Sequence, residues 1–234
     1  MHTFDARIAA INLATPSIRV LRLAIPDPGF RFLAGQWVDL GVDIDARPHT
    51  AGYSITTSPL HRGEIELAIR ASSRHPVARW AHEGAAVGDH VRVTQGQGPF
   101  VFLPEMGDNI VLIGGGVGVT PLLAIFRHVR DAGMPVGVNL LYSVSDSREI
   151  LFREELETSA RNHANLHVNI TVTQPDPAWH GATGRIDARK LQALGMPEGT
   201  LYYLCGPKGM VEDISALLHA LGVPLSRIIF EKWW

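Results

Sequence analysis

One stretch limits the fold more than any other: the apolar run Ile110-Val111-Leu112-Ile113 and the glycine-rich segment after it, Gly114-Gly115-Gly116-Val117-Gly118-Val119-Thr120-Pro121. A short run with no polar position is a strand covered on both faces, as in a parallel sheet between helices. Leu122, Ile125, Phe126 and Val129 then recur at helical spacing, which predicts a helix over Pro121–Arg130 with Gly133 and Pro135 just beyond its end. Thr120 is expected to cap that helix, with Pro121 at its first position. Glycines adopt positive φ and let a ligand approach the backbone closely. Free N–H groups and the helix dipole at the same point favour a diphosphate. A plain strand–turn–helix joint does not need glycine at positions 114, 115, 116 and 118, so a nucleotide site is the better reading. The spacing is neither the G-x-G-x-x-G dinucleotide fingerprint nor a P-loop, whose lysine is missing.

The residues around this segment divide the chain in two. From residue 5 to about 103, short runs with strand character are separated by Pro26-Asp27-Pro28-Gly29, Ser58-Pro59 and Arg62-Gly63. Ser17–Ile25, Gln36–Val42, Tyr53–Thr57, Glu64–Arg70 and His90–Thr94 are the predicted strands, with one short helix from Val77 to Glu83 stopped by Gly84. Several short strands and one helix predict a small antiparallel barrel over residues 1–103. Residues 104–109 read as a linker. Over residues 110–234 strands alternate with helices, which predicts parallel βαβ units. The expected strands are Val136–Tyr142, Leu166–Val172, Leu201–Leu204 and Arg227–Phe230. Helices are expected over Ser147–Ala160, Ala188–Leu194 and from Met210 to Leu221.

Composition excludes several classes of function. The 234 residues carry 21 Lys and Arg against 23 Asp and Glu, a formal charge of −2. A nucleic-acid binder relying on counterion release would present a clearly basic face, so none is expected. Hydrophobic residues are 46% and charged residues 19%, enough for a real core. The uncharged stretch from Asn109 to Phe126 approaches the length of a membrane span, but its glycines and proline fit the glycine loop better. The first residues have neither a basic nor an apolar segment of a signal peptide. A cytoplasmic protein without a membrane span is expected, its oligomeric state open. The single cysteine, Cys205, excludes an internal disulfide and any four-cysteine iron–sulfur or zinc site. The 11 histidines contain no H-E-x-x-H pair. His163 and His167 straddle a helix–strand joint and read as solvated, so no metal is proposed.

Three further segments are candidates for chemistry. Leu204-Cys205-Gly206-Pro207-Lys208-Gly209-Met210 follows a strand and precedes a helix. In a parallel sheet it shares the carboxyl edge with the first glycine loop. Cys205 is either an inert core thiol or part of the site at that edge. Tyr53-Ser54-Ile55-Thr56-Thr57-Ser58-Pro59 reads as a strand. Its Gly52-Tyr53-Ser54 start does not complete a G-x-S-x-G nucleophile elbow, since Thr56 stands at the last glycine and no helix follows. The chain ends Ile228-Ile229-Phe230-Glu231-Lys232-Trp233-Trp234, and a terminal aromatic pair suits docking on a flat ring system or another subunit.

Taken in this order, the motifs resemble the ferredoxin–NADP reductase superfamily over nearly the whole chain. Within it, the likeness is greatest to the oxidoreductase NAD-binding domain-containing branch. The cues are Gly52-Tyr53-Ser54 running on to Ser58-Pro59, His75-Pro76 before Ala78-Arg79-Trp80-Ala81-His82, and the Phe230-Glu231-Lys232-Trp233-Trp234 ending. The resemblance implies a flavin-binding antiparallel β-barrel followed by an α/β parallel-sheet nucleotide-binding domain. It implies FAD, with FMN as the alternative, and NADH or NADPH as hydride donor. Electrons would pass on to a separate acceptor: a protein, a quinone or a small molecule.

By position, Tyr53 would lie against the isoalloxazine ring and Ser54 would hydrogen-bond near flavin N5, with Ile55 and Thr56 continuing that strand. Leu67, Ala68, Ile69 and Arg70 would contact the ribityl and phosphate portions. Val77 and Ala78 fall in the second flavin-phosphate motif. Gly114, Gly115, Gly116, Val117, Gly118, Thr120 and Pro121 would cradle the pyridine-nucleotide diphosphate. Cys205, Gly206 and Pro207, with Met210 behind them, would border the nicotinamide. Glu231 would sit beside the reacting rings, and Trp233 or Trp234 would cover the flavin face.

The chain departs from the family pattern in two places. Ala51 replaces the arginine of the R-x-Y-[ST] flavin motif, and His75-Pro76-Val77-Ala78 replaces Gly-Gly-x-Ser. Such losses fit looser flavin binding, FMN use, or a non-catalytic NAD(P)-binding adaptor that kept the fold. Arg47, Arg70 and Arg74 are the cations near enough in sequence to compensate. For the adenosine end, Ser143, Ser145 and Arg148 would receive a 2′-phosphate, whereas Asp146 and Glu149 would repel it. Thr173-Gln174 stands where NADP-preferring relatives carry a phosphate-binding arginine, with Arg185 the nearest alternative. The balance leans to NADH.

Overall fold

The computed structural model describes residues 2–232, so Trp233 and Trp234 lie outside the described residues. The first half is a six-stranded antiparallel sheet in the order β4-β3-β6-β1-β2-β5. Its strands are β1 (Thr3–Thr15), β2 (Ile18–Ala24), β3 (Trp37–Ile44), β4 (Arg47–Ser54), β5 (Glu64–Arg70) and β6 (His90–Thr94). Alternation sets the register: in β1, Phe4, Ala6 and Ile8 face inward while their neighbours face water. Beyond the edge strand β4 the chain turns to pair Ile55 with Leu67, and the Thr56 amide donates to the Glu66 carbonyl at 3.0 Å. That seam joins the two edges and closes the barrel, leaving Leu21, Leu23, Val38, Ile55 and Leu67 in a dry interior.

β1 was not among the strands expected from sequence. It runs 13 residues, with register shifts between Ile8 and Ala10 and between Leu13 and Thr15. Those irregularities break the two-residue period by which a strand is recognised. The strand carrying Tyr53 also begins earlier than expected, at Arg47, because Pro48 and His49 tolerate an edge position. Thr57, expected inside that strand, lies beyond it.

α1 (Pro76–Glu83) follows β5, with Val77, Ala78 and Ala81 turned inward. Pro104–Met106 of the expected linker forms a single 3-10 turn, and Asn109 already opens the next strand.

The second half is a sheet in the order β10-β9-β8-β7-β11-β12. Its members are β7 (Asn109–Gly115), β8 (Gly137–Val144), β9 (Leu166–Val172), β10 (Ala182–Thr183), β11 (Leu201–Cys205) and β12 (Ile228–Glu231). All of its neighbouring strands run parallel. The helices are α2 (Thr120–Asp131), α3 (Arg153–Asn162), α4 (Ala188–Gln192) and α5 (Lys208–Ala220). β7 is the central strand, with Ile110 to Ile113 each fully buried, as a strand covered on both faces must be.

Two expectations about helix starts fail. Gly116–Val119 forms a 3-10 turn, so Val119 occupies the N-cap of α2 and Thr120 is already helical. The Thr120 hydroxyl donates back to the Val117 carbonyl at 2.9 Å instead of capping the helix. The helix expected over Ser147–Ala160 is split: Ser147–Glu149 is a 3-10 turn, and α3 begins only at Arg153. Phe152 separates them at φ +54°, a left-handed conformation that costs a side-chain-bearing residue roughly 1–2 kcal/mol. No glycine marks the break, so sequence does not reveal it.

The two halves share one core. α2 places Leu122, Leu123, Ile125 and Phe126 in the same apolar cluster as Ile18, Val20 and Ala68 of the barrel and Phe100 and Phe102 beyond it. Each buried Leu, Ile, Val or Phe there contributes about 1.5–3 kcal/mol, which holds the two halves together. Polar contacts reinforce them. Thr15 and Ser17 donate to Glu149 Oε2 at 2.8 and 2.6 Å, and the Tyr203 hydroxyl donates to the Val101 carbonyl at 2.9 Å.

Candidate active site

The carboxyl edge of the parallel sheet meets the barrel at one cleft of about 1640 Å³, counting its open mouth. Its barrel wall carries Ala51, Gly52, Tyr53 and Ser54, then Ala68, Arg70, Ser72, His75 and Ala78. The opposite wall carries Gly115, Gly116, Val117, Gly118 and Thr120, then Cys205, Gly206, Pro207 and Lys208. Parallel pairing brings these two loops together, since Cys205 on β11 stands in register with Gly114 on β7 and with Glu231 on β12.

The glycines are required by this approach of backbones. A Cβ on Gly118 would fall 2.5 Å from Gly206 Cα and 2.7 Å from the Cys205 carbonyl oxygen. A Cβ on Gly115 would meet Met210 Sδ at 2.5 Å. Gly116 is different: it has open space around it and a φ of +54°. Together the loops make a surface of bare backbone at the start of α2, suited to a diphosphate.

The barrel wall is arranged for a flat apolar ring with one polar edge. Tyr53 is half-buried, and desolvation pushes its hydroxyl up to about 12, so it stays neutral. Ser54 beside it is buried. Burial, then the nearby Glu231 carboxylate, drive the Cys205 thiol far above its ordinary value. A thiol held protonated is a poor nucleophile, which fits a packing and orienting part better than covalent catalysis.

Not every residue singled out from sequence lines the cleft. Ile55, Leu67, Ile69 and Val77 are packed into the barrel interior. Thr56 is fully buried, its hydroxyl donating to the Glu66 carbonyl at 3.2 Å. Ile55, Leu67 and Ile69 each neighbour a lining residue in sequence, but alternation turns them the other way, and Val77 is on the inward face of α1. Gly114 and Pro121 are buried behind the glycine loop, and Met210 packs against Gly115 and Gly206 from below. Glu231 stands next to Cys205, within 3.7 Å of where a Gly98 Cβ would be.

Ser143, next to last in β8, stands in register with Gly115, outside the cleft lining. Arg148 is exposed and held by Asp146, its Nε and Nη2 donating to the carboxylate at 3.0 and 2.5 Å. Those bonds and the Arg148 amide hold Asp146 down at about 2. Ser147 donates to Asp176. His163, expected to be solvated, bonds the Ser159 carbonyl through Nδ1 at 3.0 Å. His75 and Lys208, each inside a segment singled out from sequence, do line the cleft. Ser72 lines it too but was not singled out, since nothing in a local pattern shows which loop residues face a distant domain.

Known proteins share this layout. The chain matches the family model for an oxidoreductase FAD-binding domain over residues 5–102 and that for an oxidoreductase NAD-binding domain over residues 112–216. A ferredoxin NADP+ reductase from Neisseria gonorrhoeae, solved with bound FAD and NADP, superposes with a TM-score of 0.84 at 22% identity, covering all of both chains. Fold and paired loops thus define a flavin- and pyridine-nucleotide-binding protein of the ferredoxin–NADP reductase superfamily. The chain is 37% identical over 258 residues to oxidoreductase NAD-binding domain-containing protein 1 of Danio rerio, covering 100% of this chain and 93% of the relative. The human protein of that name is 35% identical over 255 residues, covering 98% of this chain and 79% of its own length. The chain belongs to the oxidoreductase NAD-binding domain-containing protein 1 family.

Proposed function

We propose that the protein is a flavin-dependent NAD(P)H oxidoreductase that takes hydride from a nicotinamide and hands the electrons to a separate acceptor. The observation that carries this reading is that Tyr53 and Ser54 face the Gly115–Gly118 loop and Cys205 across one cleft. The residues present fit both cofactors: bare backbone at Gly115, Gly118 and Gly206 for a diphosphate, and a Tyr53–Ser54 wall for a flavin ring. Bound flavin supplies the two-electron chemistry, accepting hydride and releasing electrons singly or in pairs. Tyr53 stacks and keeps water from the ring face. Ser54 donates a hydrogen bond at the reacting edge, while Cys205 and Pro207 orient the nicotinamide and Arg70 binds the flavin phosphate. With one cysteine these 234 residues build no four-cysteine cluster, and in this reading the electrons pass to a separate acceptor.

NADH is the preferred donor in this reading. Of the groups that would receive a 2′-phosphate, Arg148 already serves Asp146, and the neighbouring Ser147 is taken up by Asp176. Two carboxylates there repel a further dianion.

The test is reconstitution with FAD followed by steady-state oxidation of NADH and NADPH with ferricyanide as acceptor. Turnover with NADH at least about tenfold more efficient than with NADPH is expected. No turnover with either overturns the proposal. Ala51 in the cleft wall favours one second reading, a nucleotide-binding adaptor without flavin. It predicts a colourless protein that takes up neither FAD nor FMN yet binds NAD(P).

A further inference from the structure

Arg127 lies on α2, the helix that starts at the glycine loop, and is only 8% exposed. Its side chain leaves its own half of the molecule. Nη1 donates to the Thr56 carbonyl at 3.0 Å and to Glu66 Oε2 at 2.9 Å, both in the barrel. On the other side, Nε and Nη2 donate to Glu155 Oε1 and Oε2 at 2.8 and 2.6 Å. The guanidinium carbon sits 4.3 Å from the centroid of the Phe152 ring. Burying a cation and its carboxylate partners seldom stabilises a fold better than apolar packing does, so such a cluster fits a specific geometric task. Phe152 in its left-handed conformation points the same way, because strain of that kind persists only where the surroundings dictate it.

The barrel partners of Arg127 lie on the seam that closes the barrel. The Thr56 amide and hydroxyl both donate to the Glu66 carbonyl, and the Glu66 amide donates to Thr57 Oγ1 at 2.6 Å. That seam continues directly from Tyr53 and Ser54. One side chain therefore ties the helix below the nucleotide loop to the strand carrying the flavin wall.

We infer that Arg127 is a positioning residue for hydride transfer: by clamping the Thr56–Glu66 seam to α2, it sets the separation between the Tyr53–Ser54 wall and the Gly115–Gly118 loop. The inference rests on the oxidoreductase reading above. Small errors in that separation slow transfer while leaving each cofactor's own contacts intact.

The experiment compares wild type with Glu66→Gln and Arg127→Lys. Glu66→Gln keeps the two bonds of Arg127 to Glu155, so it leaves no buried cation stranded. Arg127→Lys keeps the charge and loses the fork that reaches both sides at once. In FAD-loaded protein, stopped-flow reduction by NADH is expected to show a limiting rate lower by about tenfold or more. FAD affinity and the NADH half-saturation point are expected to stay within about threefold of wild type. In flavin-free protein, amide hydrogen exchange over residues 53–57 is expected to speed up by about tenfold in both variants.

An unchanged limiting rate with a lowered unfolding midpoint would reduce Arg127 to a purely structural part and overturn the inference. Unchanged exchange over residues 53–57 would overturn the clamp itself. Should FAD-loaded wild type fail to be reduced by NADH, the oxidoreductase reading fails instead. The exchange result would then still decide whether Arg127 holds the seam.

Discussion

Gly118 and Gly206 meet backbone to backbone, so close that a Cβ on the first would fall 2.5 Å from Cα of the second. They sit on different loops, about 90 residues apart in sequence, and hold two strand ends at contact distance. Gly118→Ala must therefore push the loops apart. Overpacking against backbone costs about 1–3 kcal/mol, and the diphosphate surface is deformed as well. Urea unfolding and calorimetric titration with NAD+ should show both losses. Gly116→Ala is the control: with nothing nearby and a φ of +54°, it should lose about 1–2 kcal/mol from backbone strain alone.

Cys205 should be hidden from reagents. It is 1% exposed, and burial together with Glu231 keeps its thiol protonated at neutral pH. A disulfide reagent such as dithionitrobenzoate is expected to titrate no thiol in the native protein at pH 8 and one per chain in denaturant. Full reaction without denaturant would contradict the packing at the end of β11.

Alkali should destabilise the protein. Desolvation raises the folded-state values of Cys205, Tyr53, Tyr142 and Tyr203 above ordinary ones of 9.0 and 10.0. Below those ordinary values both folded and unfolded chains keep the protons, and stability is complete. As pH rises past 9, the unfolded chain releases protons first and the folded state loses ground. Cys205 alone accounts for about 1.4 kcal/mol at one pH unit above its ordinary value. The urea midpoint should be flat from about pH 7 to 8 and fall by about pH 10. A midpoint that rises there would show that these groups ionise freely in the fold.

Ala51 offers a gain-of-affinity experiment. It lines the cleft on the edge strand, where relatives in the superfamily pattern carry an arginine. Ala51→Arg is expected to tighten FAD binding by about tenfold, the 1.4 kcal/mol of one modest charge-assisted contact. Flavin fluorescence titration reads it directly. Riboflavin, without a phosphate, should gain nothing, so an equal gain for both would place the new side chain on the ring.

Much of this architecture was legible along the chain. The apolar run Ile110 to Ile113, the glycine loop and the Glu64–Arg70 and His90–Thr94 strands follow from local pattern, because each is dictated by period, burial and turn chemistry within a few residues. The bulged β1 and the break at Phe152 were not legible. Bulges erase the period, and a left-handed phenylalanine is imposed by packing from elsewhere.

The amino-acid order by itself determined the two kinds of sheet and the two glycine-bearing strand ends of the second; the flavin and nucleotide halves followed from the resemblance to a known family. Only the folded molecule decided which side of each strand faces the cleft, so that Ser54 and Arg70 line it while Ile55 and Ile69 turn away. It also decided that Arg127 reaches from α2 to Thr56 and Glu66. The reason is one of range: propensity and alternation act between near neighbours. Which surfaces meet depends on how a closed barrel and an open parallel sheet pack on each other, and no short window of sequence contains that.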